Sequence, residues 1–184
     1  MFARALRKLR SIKRFGKARS GSAAVEFAIV AMPFFLLTVG LAEISMIGFA
    51  QTSLDLGVSE AARQIRTGQA QMGGLGAADI KDQICDEVNN FVVLECEGNL
   101  FIDVDRFDSF VDASTAEDQP IEDGEFQSDG FGYQPGAASD IVVVRAYYRW
   151  QVLTPMFEPI FENPSGGDRI LVTTMMFRNE PYQS

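Results

Sequence analysis

The chain contains no histidine, so it lacks the side chain that most often serves as general base or metal ligand near neutral pH. It has only two cysteines, Cys85 and Cys96, and no Cys-x-x-Cys pair. It also has no phosphate-cradling P-loop and no Gly-x-Ser-x-Gly nucleophile turn. Catalysis would have to rest on carboxylates alone, and no spacing singles out a pair. We therefore expect no enzyme activity, no cofactor and no metal. Asp103, Asp105 and Asp108 fail the EF-hand pattern because Phe107 occupies a ligand position and the turn glycine is missing. Alternating acids on a solvent face are expected there, and a solvated acidic loop over 112–130.

Two further absences divide the chain. Residues 1–21 hold eight basic side chains and no acid. The other eight bases face all 25 acids, which leaves the remainder at −17. Residues 27–42 carry no charge at all, between Glu26 and Glu43, and mostly uncharged sequence continues to Ala50. A helix needs roughly 20 apolar residues to cross a bilayer core. The thirty residues Gly21–Ala50, at about 1.5 Å each, reach roughly 45 Å, enough to span and emerge. Basic residues beside a spanning helix stay cytoplasmic, so the acidic remainder is expected on the far side. An acidic domain there argues against nucleic-acid partners. The leader, with Phe2, Leu6, Leu9 and Ile12 near helical spacing, is expected to lie on the anionic inner leaflet. The apolar run is too long for a typical secretory signal core.

Past Ala50 the pattern becomes amphipathic. Ile47, Leu54, Val58, Ala61 or Ala62, and Ile65 recur every three or four residues, and Gly68 supplies a stop after Arg63 and Arg66. One helix over roughly 23–67 is expected, half in lipid and half against a soluble domain. Pro33 is expected to kink it, and Gly40 and Gly48 offer close approach to another helix. Gln69–Gly76 reads as a connector. Ala77–Phe91 reads as a second helix, with Ile80, Ile84, Val88 and Phe91 on one face. Cys85 on that helix and Cys96 just past it either form a disulfide, as an oxidising compartment favours, or stay as buried thiols. Strands are expected from Leu100, over Ile141–Leu153 and over Ile170–Phe177, with 112–140 a turn-rich loop. The organisation is a leader at 1–21, a transmembrane helix at 22–50, its continuation at 51–68 and an exported domain at 69–184. The fold class is α+β, a long membrane-spanning helix leading into a small domain with a mostly antiparallel sheet.

The junction at Gly21 is the most specific feature. A basic leader, Gly21, the small residues Ser22–Ala24, then Glu26 and Phe27 precede the span. This resembles a type IV prepilin cleavage junction of the Tad (tight adherence) subclass. The leader, Gly21, Ala23–Phe27, Pro33–Phe34, Gly40 and the Glu43 region are similar to TadE-like pilus assembly proteins, and Arg178–Tyr182 adds to the likeness. The resemblance implies a pilin-like plan in a bacterial inner membrane, with a periplasmic domain. It implies cutting after Gly21 by a prepilin peptidase. The new Ser22 amine would then pair with Glu26 of a neighbouring subunit. It implies other Tad pilins or pseudopilins and an inner-membrane assembly platform as partners. Major Flp pilins are much shorter, and the TadG relatives carry an added domain for which this chain is too short. Two readings stay open: a minor pseudopilin, or an uncleaved bitopic protein with a periplasmic structural or ligand-binding domain, in which Glu26 is an interfacial charge favoured by the helix dipole.

Overall fold

The computed structural model describes residues 19–91, 95–116, 120–122, 125–161 and 168–182. The leader helix expected around Phe2–Ile12 lies outside the described residues. The chain forms two units, Met1–Ala42 and Glu43–Ser184. Helix α1, Arg19–Arg66, runs through both. In the first unit its apolar side chains, among them Val25, Phe27, Phe34 and Leu37, are exposed. Pro33 sits inside the helix, and the Thr38 hydroxyl turns back to the Phe34 carbonyl at 2.8 Å.

In the second unit, a short helix α2, Gln69–Gly73, replaces the expected connector, and α3 spans Ala77–Phe91. Strand β1 is Leu100–Phe107, followed by helix α4, Phe110–Thr115. A small hairpin pairs β2, Ile121–Glu122, with β3, Glu125–Phe126. Strand β4 is Ile141–Trp150. A 3₁₀ turn at Pro155–Phe157 runs into helix α5, Glu158–Phe161, and β5 is Arg169–Arg178. The sheet is antiparallel in the order β1-β4-β5. Leu100 pairs with Tyr148, Tyr148 with Leu171, and Ile141 with Arg178.

The core follows the two periodicities expected. Leu54, Val58, Ala61 and Ile65 from α1 meet Ile80, Ile84 and Val88 from α3 over Leu100, Val104, Val144, Ala146, Tyr148 and Trp150. The close helix–helix approach falls at Gly57, where an added Cβ would lie 3.0 Å from the Ile84 carbonyl oxygen. At Gly48 an added Cβ would meet nothing within 4 Å among the described residues. Cys85 and Cys96 are joined, with Cα atoms 5.9 Å apart, tying α3 to the start of β1.

The back of the sheet departs from expectation. Residues 112–140 are not one solvated loop. Phe126 and Phe131 fold over Tyr147, with ring centroids 5.7 and 5.0 Å away, and Tyr147 is buried. Gly132–Gln134 then seals the outer edge of β1 through bonds to Val104 of 3.0 and 2.7 Å. Because the back face is covered, the solvent-face reading of the β1 acids fails for Asp103, which is only 6% exposed. Its carboxylate accepts from the Gly132 N–H at 2.9 Å and from Arg145 Nη1 at 3.1 Å. A buried carboxylate survives because it is paired in this way. Asp105 shares the same guanidinium at 3.1 Å.

Candidate functional site

A helix that is apolar all round is stable in water only when buried, so the first unit's helix calls for lipid or other helices around it. An 18-residue window of α1 reaches a mean hydropathy of 2.1, and the helix is long enough to cross a membrane. That is compatible with membrane anchoring. Glu26 lies within this apolar surface, one residue before the exposed Phe27.

The four junction residues share consecutive turns of α1. Gly21 is helical and open, since an added Cβ there would touch nothing within 4 Å. The Ser22 hydroxyl donates to Glu26 Oε1 at 2.9 Å, one turn on. An ionised carboxylate accepts about four hydrogen bonds, so this single donor leaves capacity for a cation. In hydrocarbon an ionised carboxylate costs roughly 3 kcal/mol on insertion scales, which a paired cation would offset. Cys85 and Cys96 are not part of this cluster; they belong to the second unit.

Sequence reasoning treated Glu43 as the far bracket of the apolar run and as part of the family resemblance, with no structural partner assigned. In the structure it is 2% exposed. It accepts from the Leu153 N–H at 2.7 Å and the Thr154 hydroxyl at 2.8 Å. It therefore fixes the segment after β4 to the first residue of the second unit. A charge ending an uncharged run was the available signal, but nothing local names its partners. Asp55 is similar: with Gln51 it engages Thr173 of β5, while Gln51 also donates to the Val172 carbonyl at 3.1 Å.

The C-terminal residues form a second polar lock. Asn179 is buried and donates to the Pro135 and Ala137 carbonyls at 2.9 and 3.0 Å. The Glu180 N–H reaches the Arg66 carbonyl at 2.8 Å, and Tyr182 packs on Gly68. The tail thus satisfies an otherwise orphan carbonyl at the C-terminal end of α1.

Among the described residues no group of histidine, cysteine or acidic side chains could hold a metal ion. The organised polar geometry comprises helix ends, strand-face ion pairs and an apolar helix with one carboxylate.

Residues 21–63 match the family model of TadE-like proteins. The TadE-like segment opens on the junction glycine. It contains Ser22, Glu26, Phe27, the whole uncharged run and Glu43, and ends at Arg63. No curated protein and no solved structure matches the chain significantly.

Proposed function

We propose that the chain is a minor pseudopilin or assembly component of a bacterial Tad-type pilus and secretion system. It is anchored in the inner membrane by α1, with residues 1–21 cytoplasmic and the 69–184 domain periplasmic. The observation that carries this reading is the TadE-like match opening on Gly21, with Glu26 in the first turns of an exposed, membrane-length helix. A prepilin peptidase cutting after Gly21 frees the Ser22 amine beside the Glu26 carboxylate. In lateral assembly that carboxylate pairs with the amine of an adjoining subunit, and the apolar faces of the helices pack together. The partners are other Tad pilins or pseudopilins and the inner-membrane assembly platform, with no nucleic acid and no catalysis.

Removing one partner of a buried ion pair leaves an uncompensated charge and costs about 3–5 kcal/mol. A lone subunit in the membrane loses little, because a neutral side chain inserts more easily. Glu26→Ala is therefore expected to insert and form the Cys85–Cys96 bridge normally while losing partner co-purification or pilus formation. Normal assembly of this variant contradicts the reading. One observation favours a second function: Glu26 already has a hydrogen-bond partner in its own helix, Ser22. That suits an uncleaved bitopic protein whose Glu26 marks the membrane interface and whose periplasmic domain is structural or ligand-binding.

A further inference from the structure

The described stretch that follows β4 is apolar and exposed. Residues 153–161, Leu-Thr-Pro-Met-Phe-Glu-Pro-Ile-Phe, contain one charged side chain. Leu153, Met156 and Ile160 are 60%, 63% and 68% exposed. Phe157 and Phe161 pack against one another, with centroids 5.7 Å apart. Both ends are clamped. Glu43 holds Leu153 and Thr154, and Arg169 Nη1 holds the Phe161 carbonyl at 3.3 Å. The result is an ordered apolar knob turned outward.

Its occupant follows from Glu43. The sixteen uncharged residues 27–42 precede it directly in α1. At about 1.5 Å per residue they cover roughly 24 Å of a hydrocarbon core about 30 Å thick. A bilayer spanned by them therefore extends to Glu43, and the knob is bonded to Glu43 itself. We infer that residues 153–161 dock on the outer face of the same bilayer, seating Leu153, Met156 and Ile160 at the boundary between headgroups and acyl chains. This gives the domain a second membrane attachment, whose burial of apolar surface is favourable wherever the residues leave water. The inference rests on α1 as a membrane span and not on the pilus role.

An internal comparison is available. Val111 on α4 is also apolar and exposed, but α4 packs on Ile141 and Val143, at the start of β4. The knob follows the other end of this ten-residue strand, roughly 33 Å away at about 3.3 Å per residue. The full chain is placed in lipid nanodiscs with a fluorophore on a cysteine introduced by Ile160→Cys, Met156→Cys, Val111→Cys or Leu37→Cys. The native cysteines are joined and do not react. Lipids brominated in the upper acyl chain are expected to quench labels at 37, 156 and 160 and to spare 111, while aqueous iodide quenches 111 most. Bromolipid quenching at 37 without quenching at 156 and 160 overturns the inference alone. No quenching at 37 overturns the span and the inference together. Shielding of 160 from iodide that requires more than one copy per disc, without bromolipid quenching, assigns the knob to a second copy and also overturns it.

Discussion

At the scale of residues, Asp103 shows how a covered surface changes a side chain's role. Burial pushes its carboxyl above the ordinary aspartate range and repulsion from Asp105 adds to this, while the Gly132 N–H and Arg145 pull it down. A carboxyl with a raised folded pKa binds its proton more tightly in the folded state. Its contribution to stability is fully present below the unfolded pKa, about 4, and is lost as pH rises through the folded value. Asp103→Asn is therefore expected to remove a falling limb from the stability–pH profile just above about pH 4, measured by denaturant unfolding across pH. Asp103→Ala goes further, because it removes one of the two carboxylates on the buried Arg145 guanidinium, and should cost about 1.5–3 kcal/mol at neutral pH with Asp105 still paired. Gly68 offers a cleaner case. Its φ is +78°, and a Cβ there would sit 2.4 Å from the Tyr182 ring. Gly68→Ala should destabilise by well over the ~1 kcal/mol of a left-handed alanine. With Tyr182→Ala in the background the cost should fall towards that backbone value, a coupling that a double-mutant cycle in denaturant reads directly.

At the scale of elements, what the sequence disclosed was what is local. The α3 boundaries and the α1 stripe from Leu54 to Ile65 are set by spacing within a few residues, and the structure reproduces them, whereas β4 is buried on both faces because distant aromatic residues cover its back. The Cys85–Cys96 bridge was legible because only two cysteines exist, eleven residues apart, across a helix-to-strand turn. Glu43 was not legible as a clamp because its partners lie 110 and 111 residues away. The burial of Asp103 depends on Gly132 and Arg145, 29 and 42 residues on, and on aromatic residues in what read as a polar loop. The junction residues stood out for the opposite reason, since Gly21, Ser22, Glu26 and Phe27 are neighbours in one helix. The bridge also makes a prediction. Closing so short a loop is worth about 3 kcal/mol in the chain-entropy model. Cys85→Ser with Cys96→Ser should lower the stability of the detergent-solubilised protein by about that amount in a reversible denaturant titration. An unchanged midpoint would mean that α3 is held to β1 by packing alone.

At the scale of the whole molecule, the chain divides its tasks between two units. One presents an apolar helix with a single carboxylate, and the other stabilises a small sheet on the same helix's polar continuation through ion pairs, a disulfide and a C-terminal lock. On the positive-inside rule the division of charge, basic to residue 21 and acidic beyond, predicts insertion with the leader kept on the cytoplasmic side. The assembly account then depends on one covalent event, because the Ser22 amine exists only after the leader is cut. Mass spectrometry of the N-terminus of the protein isolated from cell envelopes tests this most directly. The account predicts a mature chain that begins at Ser22 and carries Glu26 as its fifth residue. A chain that retains Gly21 and the basic residues before it would contradict the pseudopilin mechanism and leave Glu26 an interfacial charge on an uncleaved anchor.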